Sequence, residues 1–262
     1  MLTSYSLPDI YKTLMTSVAE ISQEDVLQQL QVRKDFFCYG NHLIYAAIKA
    51  SRFDLVETLI DFDHAETDGP NRSATGLVEA VCQLVSELDF ASLTWLFETQ
   101  LHKRHGVPYH RYRIFRSAIV ADNVEMFKLV TTHYPYSNRD VKKGITFAVK
   151  SLSANIFVYL LGLKRCRYNT RELIEAAAYQ FVDSYKRVWH RYKTGYEGHS
   201  KDKKAQIVAE NRPKFELIFK TLVDSAGYLT PVSAQILKKE LLDKAEEKVR
   251  QYNRYVKDTA FL

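Results

Sequence analysis

Glycine and proline are scarce, nine and six residues in a chain of 262. A β-sandwich or barrel turns every few residues and consumes both, so the scarcity predicts long helices joined by polar loops. Cysteine is scarcer still. Cys38, Cys82 and Cys166 are odd in number, far apart and without metal-knuckle or redox spacing, which favours a reducing compartment over a disulfide framework. Of the three, Cys166 sits between Arg165 and Arg167, whose charge would acidify its thiol if it were exposed. Long apolar runs are also missing. The longest, Ile156 to Leu163, falls far short of the ~20 residues a bilayer span needs. Leu2 to Asp9 has neither the basic start nor the apolar centre of a secretory signal. These absences predict a soluble, cytoplasmic chain.

What is present has an ordinary globular balance. The chain is 46% hydrophobic and 26% charged, which suits a folded protein rather than a disordered one. A single core seldom grows past ~250–300 residues, so this length allows one globular unit, two small domains or an elongated repeat array. Seventeen tyrosines and fourteen phenylalanines supply large apolar area to thin helical layers. The net charge of +6 gives a mild preference for an acidic partner.

A helix pair recurs along the chain. In Asn41 to Asp61, Ile44, Ala47 and Ile48 mark one apolar face, Ser51-Arg52 a polar turn, and Phe53, Val56, Leu59 and Ile60 a second face. Spacings of three and four within each half are helical. Matching positions are Phe115, Ala118, the turn Asp122-Asn123, then Val124, Phe127 and Val130; and Ile145, Ala148, the Ser153-Ala154 region, then Phe157, Leu160 and Leu161. A looser copy carries Leu77, Val81, Leu84, Leu93, Leu96 and Phe97, and a fifth first helix carries Leu173, Ala176 and Ala177. The copies begin about 30 to 37 residues apart, and repeats of this length are the mark of a solenoid.

The pattern of a small residue in helix one, a polar turn and then acidic-apolar-apolar residues resembles ankyrin repeats. Arg52-Phe53-Asp54-Leu55-Val56-Glu57-Thr58-Leu59-Ile60 is the best copy, and Asp122 to Val130 the next. The resemblance spans Asn41 to Ala178. It implies an all-α fold, an α-solenoid of degenerate ankyrin-like helix-turn-helix repeats, with helical N- and C-terminal caps. Residues 1–40 would form the N-terminal cap, 41–178 the repeats and 179–262 a C-terminal helical block continuing the array. The Thr-Pro-Leu-His opening of each ankyrin repeat is missing. The inter-helix glycine is replaced by Ser51 or Asp122, so a different turn geometry is expected. The Trp, Gly and Tyr spacing of tetratricopeptide repeats is absent.

At the N-terminal end, Pro8 can open a helix carrying Ile10, Leu14, Val18 and Ile21, and Ser22 can cap a second with Val26, Leu27 and Leu30 inward. After Thr170 a long helix is expected from Arg171 to about Lys193, then a polar loop from Gly195 to Lys204. A further helix carries Phe215, Ile218, Phe219 and Leu222, with Pro213 in its first turn and Gly227 ending it. The last helix starts with Thr230 as cap and Pro231 first, and bears the stripe Leu237, Leu241, Ala245, Val249, Tyr252 and Val256.

Motifs that could carry chemistry are few and incomplete. His102, His105 and His110 are close enough to suggest zinc, but Lys103, Arg104 and Arg111 among them oppose a cation. The acidic run at Asp61, Asp63, Glu66 and Asp68 lacks the glycine a calcium loop needs at its sixth place. Gly195 and Gly198 lack the Lys and Ser/Thr of a phosphate-binding loop, and no Ser or Cys stands in a nucleophile elbow. The expectation is a non-enzyme without cofactor or metal.

The expected work is binding. If the resemblance holds, loops at 61–74, 100–112, 131–141 and 163–169 connect the repeats, and the last three mix positive charge with aromatics. The candidate partner-binding residues are Arg104, Tyr109, Arg111, Tyr134, Tyr136, Arg139, Arg165, Arg167 and Tyr168, because rigid aromatics and arginines dominate protein interfaces. The first reading is therefore a protein–protein interaction scaffold, its partner a protein with an acidic surface. A second reading uses Lys186, Arg187, Trp189, Arg191 and Lys193, where basic residues could follow an RNA or acidic ligand and aromatics stack on bases. Solvated loops are the plain alternative for the first cluster, and a solvated helix face is the commoner explanation of the second. Glu246-Glu247 before Ala260-Phe261-Leu262 is similar to the acidic-then-hydrophobic tails of type IV secretion substrates, which implies an effector delivered into a host cell cytosol.

Overall fold

The computed structural model describes residues 18–31, 36–65, 75–104, 111–163, 167–186, 201–227 and 230–259, and all regular structure among them is α-helical. The chain divides into two compact units, Met1–Pro135 and Tyr136–Leu262. That division falls inside the span 41–178 over which the repeat pattern runs.

The first unit holds α1 (Gln23–Gln31), α2 (Phe36–Lys49), α3 (Phe53–Ala65), α4 (Thr75–Ser86), α5 (Phe90–Glu98), the single turn α6 (Leu101–Arg104), α7 (Arg111–Val120) and α8 (Val124–His133). Helices α2, α4 and α7 lie side by side, and each is backed by the helix that follows it: α3, α5 and α8. The apolar positions of the repeat pattern fill the space between the two rows. Ile44, Ala47, Ile48, Val56, Leu59, Ile60, Leu77, Val81, Leu84, Leu93, Leu96, Phe97, Phe115, Ala118, Phe127 and Val130 are all buried. Two positions are exceptions: Phe53, on the rim of its helix and 36% exposed, and Val124, which is half-buried.

Four helix pairs close in the same way. The residue ending the first helix adopts a left-handed backbone: Ser51 (φ 54°), Leu88 (φ 57°), Asp122 (φ 51°) and, in the second unit, Leu152 (φ 55°). Their amides bond back to the carbonyls of Ile48, Val85, Ile119 and Val149 at 2.9, 3.2, 3.0 and 3.2 Å. In three pairs the next amide also reaches back, from Arg52 to Ala47, from Asp89 to Leu84 and from Ser153 to Ala148, at 2.9, 3.0 and 2.9 Å. This is the double closure that satisfies carbonyls left over at a helix end. The expectation of a different turn geometry is thus corrected. Residues other than glycine occupy the left-handed conformation, at a steric cost that the paired hydrogen bonds and the packing on either side offset. The fourth turn also lies one residue earlier than the sequence placed it, at Leu152.

The next residue stands just before the second helix, and in two pairs its side chain caps that helix. Asp89 accepts from the Ser92 amide at 3.1 Å and Asn123 from the Met126 amide at 2.9 Å, which caps α5 and α8. Ser22 caps α1 as expected, its Oγ accepting from the Asp25 amide at 3.1 Å. Arg52 acts differently. Its Nη1 faces the carbonyl oxygens of Val18, Ala19 and Ile21 at 3.1, 3.2 and 3.1 Å, while Nε and Nη2 grip the Asp54 carboxylate at 2.9 and 2.6 Å. Residues 18–20 form a turn and Ile21 lies outside any helix, so the helix expected to carry Val18 and Ile21 does not include them; Pro8, Ile10 and Leu14 lie outside the described residues.

The second unit holds α9 (Asn138–Ser151), α10 (Ala154–Gly162), α11 (Thr170–Lys186), α12 (Lys201–Ala226) and α13 (Pro231–Thr259). Helix α9 opens with a capping box, Ser137 and Asp140 each accepting from the other's backbone amide. It pairs with α10, and the next pair stacks on it in order, α11 on α9 and α12 on α10. Helix α13 then covers α11. Phe181 of α11 stacks on Phe215 of α12 at 5.1 Å between ring centres. Asn169 caps α11, its side-chain oxygen accepting from the Arg171 amide at 3.1 Å, and Thr230 caps α13 through the Ser233 amide at 3.2 Å.

Two boundaries differ from expectation. Lys201 to Lys204 belong to helix α12 rather than to a polar loop, and Pro213 lies inside that helix rather than in its first turn. The proline removes one amide donor from the helix interior. Burial of Phe215, Ile218, Phe219 and Leu222 just beyond it holds the helix in register. Gly227 ends the helix with φ 68°, as its sequence position suggested.

The left-handed turns supply a test. Leu88 is 38% exposed, so Leu88→Gly relieves the backbone with little lost packing and is expected to stabilise the fold by about 1 kcal/mol. Leu152 is 3% exposed, and Leu152→Gly is expected to cost about 2 kcal/mol net because buried side-chain volume is lost. Urea unfolding midpoints of the two variants should move in opposite directions. Movement in the same direction would refute the steric argument.

Candidate binding surface

The candidate residues are held by elements of unequal character. Arg111 opens α7 and is exposed; Arg139 lies in the first turn of α9 and is exposed. Both therefore stand on helices, not on the inter-repeat loops that were expected to carry them. Arg167 is exposed and Tyr168 half-buried in the short link before α11, and Tyr136 is half-buried in the link before α9. Arg104 ends α6. Tyr109 and Arg165 lie outside the described residues, as do Arg187, Trp189, Arg191 and Lys193. Lys186 is the last residue of α11. The candidate zinc residues His105 and His110 and the tail 260–262 also fall outside them, whereas Glu246 and Glu247 sit on α13 beside Arg250, at 3.6 and 3.7 Å.

Tyr134 leaves the candidate surface. It is 4% exposed and meets Phe97 edge to face at 5.8 Å, so its ring belongs to the core of the first unit. Burial pushes its hydroxyl well above the usual tyrosine range. The neighbouring His133 stacks against the same Phe97 ring, 4.1 Å between ring centres. The sequence signal was available: Tyr134 follows Val130 by four residues, one helical turn along the apolar face of α8.

Polar contacts tie α2 to the turn between α4 and α5, and α7 to α4. Tyr45 of α2 donates its hydroxyl to Glu87, Lys49 pairs with Asp89 at 2.5 Å, and Arg113 of α7 pairs with Glu79 of α4. Burial raises the Tyr45 hydroxyl, and the Glu87 and Asp89 charges raise it further. At Asp89 burial works upward, but Lys49 and the Ser92 donors win and hold the carboxyl below its ordinary value. Cys82, half-buried on α4, is pushed up by burial although Ser117 bonds to it, so its thiol stays protonated at neutral pH. These contacts set spacing and leave the outward side of α7 to Arg111, Tyr112, Arg116 and Val120.

Sequence reasoning placed one basic cluster in loops and the other near the end of a long helix, and missed the basic face of α9. Lys142, Lys143 and Lys150 of α9 are exposed and lie opposite the buried Val141, Ile145, Ala148 and Val149. The signal was the complement of the apolar stripe: basic residues at helical spacing. Among the described residues, no group of three or more His, Cys, Asp and Glu side chains could hold a metal ion, and no helix is long and apolar enough to cross a membrane.

His133 generates a pH prediction. Burial and the Lys103 charge lower its pKa from 6.5, so the fold favours the neutral ring. That contribution is complete above about pH 6.5 and is lost as the pH falls below it, because the unfolded chain binds the proton more tightly. Burial lowers His42 in the same sense. The melting temperature should therefore drop between pH 7 and pH 5, and His133→Phe should flatten part of that drop. An unchanged slope in the variant would place the loss elsewhere.

Compared with protein-family models, with curated proteins and with solved structures, the chain returned no match in any of the three.

Proposed function

We propose that the chain is a divergent ankyrin-like α-solenoid that serves as a non-catalytic protein–protein interaction scaffold. One observation carries the reading. A left-handed residue closes the first helix at the same place in four successive helix pairs, at positions 51, 88, 122 and 152. Each is followed by a second helix whose apolar positions match, and stacked pairs of this kind build surfaces rather than enclosed sites. The regularity also explains why residues of unlike chemistry can occupy equivalent outward positions, which is what a recognition surface requires.

The partner is a protein with an acidic surface. Supporting this are the exposed Arg111, Arg139 and Arg167 and the half-exposed aromatics Tyr136 and Tyr168. Arginine and tyrosine give large, oriented contacts at low entropic cost, and an acidic partner would be steered toward them.

Affinity capture with the full chain tests the proposal. Wild type is compared with Arg111→Ala and with the combination Tyr136→Ala/Arg167→Ala/Tyr168→Ala, with circular dichroism confirming that each folds. The expected result is a set of proteins retained by wild type and lost, by about tenfold or more in recovered amount, from the combined variant. An unchanged set would refute the placement of the surface. Recovery of RNA alone, released between low and moderate salt, would refute the scaffold reading in favour of the nucleic-acid one.

A further inference from the structure

Arg139, Lys142, Lys143, Thr146 and Lys150 are all exposed on α9. Their spacings of three and four place them in one band along the helix. The band lies opposite Val141, Gly144, Ile145, Ala148 and Val149, which are buried. The one acidic residue of the helix, Asp140, is half-buried in its first turn. Its carboxylate accepts from the Ser137 amide at 2.9 Å and the Ser137 hydroxyl at 2.7 Å. The band itself carries four cations and a hydroxyl.

We propose that this band is the docking site for an acidic α-helix, whose carboxylates are spaced one helical turn apart along one face. Residues four apart on a helix are ~6 Å apart along the axis, so a helix with glutamates at the same spacings presents matching charges when it lies along α9. The chemistry favours a peptide over nucleic acid. Single-stranded nucleic acid is held by aromatic side chains on which bases stack, interleaved with the cations. The exposed band has none. Three of its four cations are lysines, which act as rotatable point charges and suit single carboxylates, rather than planar forks aimed at bases. The inference deepens the scaffold reading by naming the chemistry of a partner, and it rests on that reading only for the claim that the chain binds proteins.

The test uses the full chain and a defined probe. A fluorescent alanine-based helical peptide carries glutamates at positions one, five, eight and twelve; a second peptide has the same composition with its glutamates spread around the helix. Binding is read by fluorescence anisotropy at low salt. The ordered peptide is expected to bind more tightly than the scattered one. Lys142→Glu/Lys150→Glu should weaken it by about tenfold, as two surface ion pairs turn into repulsions. Lys220→Glu/Lys239→Glu, an equal change of charge at exposed positions on α12 and α13, should alter it less than about twofold. Lys142→Gln/Lys150→Gln, which removes charge without repulsion, should give an intermediate loss and stands in if the reversal fails to fold.

Equal binding of the two peptides, equal loss in both charge-reversal variants, or no binding by wild type would each overturn the proposal. So would tighter binding of a uridine oligonucleotide that shows the same loss. The Tyr136→Ala/Arg167→Ala/Tyr168→Ala variant separates this inference from the earlier reading. Loss on the α9 variants alone upholds the band and refutes the loop residues, and loss on the loop variant alone does the reverse.

Discussion

The closure between the two helices of each pair is the constraint on which the rest depends. It reverses the chain in a single residue, satisfies carbonyls that would otherwise be stranded, and sets the second helix against the first with their apolar faces opposed. The closure recurs at Ser51, Leu88, Asp122 and Leu152, and most apolar positions on either side of it are buried. The outward positions carry less of that duty and can vary more freely. Packing therefore depends on the regular part, and recognition draws on the irregular part.

Much of this was legible in the sequence, for a physical reason. Alternation of three and four among Ile44, Ala47, Ile48, Phe127, Val130 and Phe157 reports burial directly, since only one face of a helix in a stacked pair can leave water. Caps were legible too, at Ser22, Thr230 and Gly227, because their chemistry is local. The turn geometry was not. Serine, aspartate and leucine rarely adopt a left-handed backbone, and nothing in their neighbours along the chain announces that they do so here. Tertiary packing chooses that conformation, and single-residue preference loses to it.

The candidate surface was legible in composition and not in place. Positive charge and tyrosine were visible, but whether a residue caps a helix, faces the core or faces water depends on where each helix starts. Tyr134 illustrates the inward error and Arg139 the outward one. The first enters the core beside Phe97, and the second stands at the head of a basic band. Pro213 was misplaced for a related reason. A proline signals a helix start when the chain before it is unstructured, and here the chain before it was already helical.

Arg52 shows a different economy. A lysine at that position would keep the charge and lose the arrangement, because an ammonium cannot face three carbonyl oxygens on one edge while clasping a carboxylate on the other. What residue 52 contributes is a flat plate with donors on both sides. Substitution there is governed by shape rather than by electrostatics, and the usual interchange of one cation for the other is closed to it.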